Sequence, residues 1–281
     1  MWLPVEILRM ILACFAPDHL HTVAAVCHDW ANITKDRRES IAKLRLAPFN
    51  IKNPLTCAHM RVSASSDRGE HEEAMMMVAL KAAICSGALA SLESLSFCDW
   101  NFGIGDDGVK ALATAFASGA LPSLETLDIG YNNIGDAGAS ALATAVGNGA
   151  LAHLVSLSLY GNQIGNEGVM ALASACAIGA LPLLEMLSLS DNKIGGPGCI
   201  AFGNAVGKGA LASLKELRLD DNRIGDAGVT ALAAACASGS MASLKTLVIG
   251  DHGGRTDHAS HSGLQPVCSA CGITLKKYPW D

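Results

Sequence analysis

The chain has 281 residues, of which half are apolar and 16% charged, with a net charge of −6. That balance argues against nucleic acid as a partner, because phosphate binding needs a basic surface. No run of about 18 clean apolar residues is present and much of the apolar half is alanine, so no membrane span is expected.

The N-terminal stretch MWLPVEILRMILACF is apolar but interrupted by Pro4, Glu6 and Arg9. It has neither the basic start nor the small-residue cleavage site of a signal peptide, which points to an intracellular chain, cytoplasmic or nuclear. Leu3, Ile7, Leu8, Ile11, Leu12 and Phe15 follow Pro4 at helical spacing. Asp18, after Pro17, is placed to cap a second helix carrying Leu20, Val23 and Val26, and Cys27, Trp30 and Ile33 continue an apolar face. Residues 1–46 therefore read as a small all-α domain of three short helices, too small to bury much surface without a partner or a supporting domain.

Residues 47–88 read as a linker and an N-terminal capping repeat. LTCAHMRV suggests an irregular strand, SASSDRGEH a polar loop, and Met77, Leu80 and Ile84 a leading helix over 72–86.

From residue 89 to 250 the chain repeats. The pattern Leu-x-x-Leu-x-Leu begins at Leu92, Leu124, Leu154, Leu184, Leu214 and Leu244, with a period of 30 residues after the first copy. A fixed period of this length means a solenoid, whose units bury their apolar faces only against one another. Each copy alternates as a short half-buried strand: Leu124, Leu127 and Ile129 point inward, Thr126, Asp128 and Gly130 outward. Asn132, Asn162, Asn192 and Asn222 follow at a constant offset, and a stacked ladder of buried amides is expected there. Asp106, Asp136, Asn166 and Asp226 are expected to cap the helix that each begins, with Gly196 as the cap and Pro197 as the first helical residue in the fourth repeat. Gly119, Gly149, Gly179, Gly209 and Gly239 end the helices. The stripes Val109/Leu112/Phe116, Cys199/Phe202/Val206 and Val229/Leu232/Cys236 face the strands. Two extra residues in LESLSFCDWNFGIGDDG predict a bulge near Trp100–Gly103.

Residues 251–281 read as a C-terminal cap, in which Pro266 and Gly272 bracket a short last helix that is followed by a final strand; DHASHSG before it reads as loop. The chain contains ten cysteines. Cys85, Cys176, Cys199 and Cys236 lie among Ala and Val at helical positions, as small buried hydrophobes in a reducing compartment. His258, His261, Cys268 and Cys271 have spacings seen in zinc sites, but Cys268 is expected to face inward from the last helix, so no metal is assigned. No phosphate loop appears and no Ser/His/Asp set assembles, so neither an enzyme nor a cofactor is expected.

The repeat residues of about 70–275 resemble leucine-rich repeats of the ribonuclease-inhibitor type, with concave parallel strands and convex helices. The elements Leu3-Pro4, Glu6-Ile7-Leu8, Ile11-Leu12, Pro17-Asp18-His19-Leu20, Val26-Cys27 and Trp30 resemble an F-box, although ESIAKLRL stands where an F-box often ends with a Leu-Trp pair. The fold class expected is thus α/β: an F-box-like helical domain followed by a solenoid. The resemblance implies a substrate receptor of a cullin–RING ubiquitin ligase. Leu3, Pro4, Ile7, Leu8 and Ile11 would dock on the Skp-family adaptor, and the repeats would hold an unknown protein target. Two alternatives stay open, a scaffold or recognition module with no ligase link and a Ran-type GTPase activator; a third view of residues 1–46 is a plain cap on the solenoid. On the strand face the candidate target-binding residues are Asp128, Tyr131, Tyr160, Asp191, Glu216, Arg218, Asp220 and Asp221: two central tyrosines and a mostly acidic C-terminal half that would favour a basic segment.

Overall fold

A strand of three residues is all that each repeat needs, because the next repeat supplies the missing backbone partners. The computed structural model describes residues 59–62, 80, 84, 89–97, 103–250 and 258–276. The helices expected over 1–46, with Leu3, Pro4, Ile7, Leu8 and Ile11, lie outside the described residues, as do Met77, Trp100 and Asp251. In chain order the described elements are β1 (His59–Val62), β2 (Ser94–Phe97), α1 (Gly105–Phe116), β3 (Thr126–Asp128), α2 (Asp136–Gly147), β4 (Ser156–Ser158), α3 (Asn166–Ala177), β5 (Met186–Ser188), α4 (Gly196–Gly207), β6 (Glu216–Arg218), α5 (Gly225–Ala237), β7 (Thr246–Val248), α6 (His258–Ala270) and β8 (Thr274–Lys276). The strands form one parallel sheet in the order β1 to β8.

The period sets the register: Leu95, Leu127, Leu157, Leu187, Leu217, Leu247 and Leu275 pair in succession along one row. The inward residues meet the helix stripes in one continuous core, where Leu124, Leu127, Leu154 and Leu157 are all at most 1% exposed. Each such leucine contributes about 1.5–3 kcal/mol relative to an exposed one. Leu80 and Ile84, both helical and buried, extend the core at its N-terminal end, and Leu264, Cys268 and Ile273 close the other. Eight strands at about 4.8 Å spacing give a sheet floor of about 34 Å, longer than six repeats alone would give. Helices pack at about 8–10 Å, so the stack bends with its strands on the inner side.

The asparagine ladder forms as expected and joins repeats. Asn162 Oδ1 accepts from the backbone N–H groups of Asn132 (3.1 Å) and Ile134 (3.0 Å), and its Nδ2 donates to the carbonyls of Ile129 (3.0 Å) and Leu159 (2.9 Å). Asn192 and Asn222 repeat the arrangement one and two turns on. The first rung differs. Asn132 Oδ1 is buried without a partner among the described residues, and residues 98–102 of the preceding repeat, where the bulge is expected, lie outside those residues. Gly103 there takes φ +50.

The helix starts differ from the sequence expectation in an instructive way. Asp106 does not cap α1. Its Oδ1 accepts from the N–H groups of Gly135 (2.7 Å) and Gly138 (2.9 Å) at the start of α2, one repeat on. Asp136 does the same for Gly165 and Gly168 of α3, and Asn166 for Gly195 and Gly198 of α4. Each expected cap residue is in fact the first or second residue of its own helix; its side chain reaches sideways, because the neighbouring helix presents free N–H groups at hydrogen-bonding distance. The second glycine of each motif leaves room for that oxygen. A Cβ on Gly168 would lie 2.8 Å from Asp136 Oδ1. Where the fourth repeat has Gly196, no oxygen reaches α5, and Gly225 turns to φ +62 instead of the extended conformation of Gly135, Gly165 and Gly195. Gly195 rather than Gly196 precedes α4, so Pro197 is its second residue.

The last helix is also longer than expected. It begins at His258, within the segment expected to be loop, and runs through Pro266. Burial of Leu264 and Cys268 on one face outweighs the backbone hydrogen bond that proline removes.

Asp136→Ala should destabilise the protein by about 1–2 kcal/mol, since two N–H groups lose their acceptor. Asp136→Asn should lose less than half as much, because Asn166 does the same work with an amide oxygen. Urea unfolding midpoints at constant slope would test this; an Asn variant as weak as the Ala variant would mean that charge rather than the hydrogen bond matters.

Candidate functional site

Alternate strand side chains leave the core and form two rows across the sheet. Ser94, Thr126, Ser156, Met186, Glu216, Thr246 and Thr274 align in one, and Ser96, Asp128, Ser158, Ser188, Arg218, Val248 and Lys276 in the other. Most are small and half-buried, so the larger groups beside them define the surface. Asp128 turns back on its own chain, accepting from the Gly130 N–H at 3.1 Å. Glu216 and Arg218 form an ion pair at 2.5 Å, so these two neutralise one another.

Beyond the strand ends, Tyr131, Gly161, Asp191 and Asp221 occupy equivalent places, all with left-handed backbone (φ 55, 67, 51 and 55). Their N–H groups donate to the carbonyls of Tyr160, Ser190, Asp220 and Gly250 in the next repeat, continuing the ladder past the sheet. The conformation tilts the Tyr131 ring across Gly161, where a Cβ would stand 2.5 Å from its Cδ1. The ring meets Tyr160 edge to face, with centroids 4.7 Å apart at 77°. Such a pair adds about 0.5–1.5 kcal/mol beyond its buried area. It is held in place before any partner arrives.

Asp191 is exposed and Asp221 half-buried, but Asp220 is only 3% exposed. The sequence placed it outward by extending strand alternation one residue too far. Past the strand the chain turns, and Gly130, Ser190, Asp220 and Gly250 all fall inside. Asp220 accepts a hydrogen bond from the Ser190 hydroxyl. Burial raises its carboxyl above the ordinary range, with Asp221 adding to the rise; Ser190 and Arg218 act against it. The acidic row has basic company that the sequence reading overlooked. Gln163 donates to Asn133, and Lys193 donates to Gln163 at 2.8 Å. Asp191, Lys193, Asp221 and Arg223 line a shallow cleft over the buried Asn162, Asn192 and Asn222. The signal for this row was its fixed place, one residue after each ladder asparagine. The surface is thus mixed in charge around an aromatic centre.

Cys176, Cys199, Cys236 and Cys268 are buried, as small core residues. Burial pushes the Cys176 thiol up to about 11 and that of Cys199 to about 12. The side chains of His258 and His261 lie outside the described residues, and no cluster suited to a metal forms among those described. No helix among them is long and apolar enough to cross a membrane.

Residues 120–143, 150–173, 180–203 and 210–233 match the family described as Leucine Rich repeat. These segments are leucine-rich repeats, and repeats of this kind serve as protein–protein interaction modules. No curated protein matches the chain. One solved structure similar to it is an internalin (inlF) from Listeria monocytogenes str. 4b F2365, at 18% identity and a TM-score of 0.34; the match covers 71% of this chain and 57% of that one.

Burial, the Tyr131 hydroxyl and the nearby Asp191 and Asp220 charges raise the Tyr160 phenol above its ordinary range. The folded state therefore favours the neutral phenol. This contribution is present below about pH 10, the ordinary tyrosine value, and is lost as the pH climbs through the raised one. A rapid ultraviolet titration of the folded protein should show a late phenolate step that disappears in Tyr160→Phe; an unchanged profile would remove the burial argument.

Proposed function

We propose that this chain is a non-enzymatic recognition subunit. The strand face holds a protein target, and residues 1–46 dock on the Skp-family adaptor of a cullin–RING ubiquitin ligase. The observation that carries the first half is the packed Tyr131–Tyr160 pair at the centre of a continuous strand face. An aromatic anchor fixed in advance loses little side-chain freedom on binding, and central aromatics dominate interface energies. The flanking Asp191 and Asp221, beside Lys193 and Arg223, suit a polar target segment that carries both charges, with a basic group nearest Asp191. Exposed charges of this kind chiefly speed encounter and are screened by salt.

The ligase half is supported by the sequence of residues 1–46. It carries more apolar residues at helical spacing than three short helices would bury, and the F-box elements Leu3, Pro4, Ile7, Leu8 and Ile11 are among them. A protein made of a docking segment and a repeat surface works by bringing target and ligase together, which needs no catalytic group of its own. The other reading, a recognition module without a ligase, keeps the same surface and assigns residues 1–46 to covering the end of the solenoid.

In a pull-down with purified Skp-family adaptor, the full chain should be captured. The double variant Pro4→Ala/Ile7→Ala should lose most of that capture while its circular dichroism stays unchanged. Absence of adaptor binding by the unaltered chain would end the ligase assignment and leave the scaffold reading.

Target capture should drop at least tenfold with Tyr160→Ala, and severalfold with Asp191→Lys, the latter effect shrinking in high salt. Asp191 is the right position for charge reversal because it is exposed, whereas reversal at the buried Asp220 would unsettle the fold. Proteins captured equally well by both variants would place the target elsewhere.

A further inference from the structure

Three thiols from two neighbouring elements meet at the C-terminal end of the solenoid. Cys236 of α5 and Cys268 of α6 are 3% and 0% exposed, near enough for each thiol to perturb the other's ionisation. Cys271, just past the end of α6, is exposed. Its Sγ donates to the carbonyl oxygen of Cys236 at 3.4 Å. On its other side Cys236 Sγ meets Met241 Sδ at 3.9 Å. Core packing accounts for Cys176 and Cys199, each buried on its helix stripe. It does not account for Cys271, whose side chain is exposed yet leans on the backbone of a buried cysteine one repeat away. Cys271 still closes the last turn of α6 through its N–H to the Val267 carbonyl (3.0 Å) before the chain turns at Gly272 (φ +71), so its sulfur is held on the side of the helix that faces Cys236.

We propose that Cys271 and Cys236 form a reversible disulfide when the protein meets a hydroperoxide, tying the C-terminal cap to the last repeat. The exposed Cys271 thiolate attacks one peroxide oxygen. An S–O bond forms, the O–O bond breaks, and the departing hydroxide takes up a proton as water. The sulfur is oxidised by two electrons and the peroxide reduced. The Cys236 sulfur then attacks the sulfenic sulfur of Cys271. An S–S bond forms, the S–O bond breaks, and the hydroxyl leaves as water with the Cys236 proton. A dithiol reductant returns both thiols. The cross-link acts at the last repeat of the described residues. α6 and β8 cover the core through Leu264, Cys268 and Ile273, and among the described residues β8 is the last strand of the sheet, paired with β7. Closing the loop between α5 and Cys271 restricts the unfolded cap more than the folded one.

The test is peptide mapping of the full chain after brief treatment with hydrogen peroxide and alkylation. Trypsin releases Cys236 in residues 224–245 and both Cys268 and Cys271 in residues 256–276. A disulfide joining these two peptides, reversed by dithiothreitol, is expected, together with an upward shift of the thermal midpoint. Cys236→Ser and Cys271→Ser should each abolish the cross-link, and Cys268→Ser should keep it. Cys271 is exposed, so its serine variant folds even if Cys236→Ser does not. A disulfide confined to residues 256–276 would overturn the proposal. So would a cross-link that survives Cys271→Ser, oxidation of Cys271 that stops short of a disulfide, or one zinc per chain in the untreated protein.

Discussion

The rest of the structure depends on a buried amide that bonds across the boundary between repeats. A three-residue strand leaves most backbone groups of its turn without partners, and each unpaired buried group costs about 1–3 kcal/mol. Asn162 alone satisfies two N–H groups of the preceding repeat and carbonyls on both sides of the boundary. No repeat can be complete without its neighbour. That is why the turns can be as tight as they are, and why the strand face comes out regular enough to offer a surface.

The helix side obeys the same constraint with a different residue. An isolated helix leaves its first N–H groups free. In this chain an oxygen from the previous repeat takes two of them each time, from Asp106, Asp136 and Asn166 in turn. The fourth repeat breaks the series at Gly196, and α5 responds with a left-handed glycine. At that junction the Cys199 thiol donates to the Gly228 carbonyl at 3.5 Å, a weak contact in place of two strong ones. The α4–α5 junction therefore lacks the two strong side-chain hydrogen bonds that the three junctions before it share.

Function follows from what these bonds leave over. Core leucines and ladder asparagines are spoken for, so variation is confined to the outward rows and to the turn residues beyond them. There the left-handed backbone that the ladder demands also aims Tyr131 at Tyr160. An aromatic pair is thus set by the same geometry that holds the repeats together. Asp220 shows the limit of that freedom: one residue along from an exposed position, a carboxylate is drawn inside and held by Ser190.

The sequence by itself determined the period, and the period determined the parallel sheet, its register, the leucine core and the asparagine ladder. All of these depend on identical residues recurring at fixed intervals, so each repeat reports on the others. The left-handed glycines at the helix ends were legible for the same local reason. Tertiary structure decided whatever depends on distance between repeats. The sequence could not show that Asp136 serves the next helix rather than its own, since both starts lie within its reach only once the helices are stacked. It could not show that Asp220 lies inside, because alternation ends with the strand and the turn that follows is set by contacts to Ser190. Nor could it show Lys193 and Arg223 beside the acidic row, or Cys271 against Cys236. Asp191 and Arg223, like Cys236 and Cys271, are about thirty residues or more apart in the chain, and only the packing of one repeat on the next brings them to one surface.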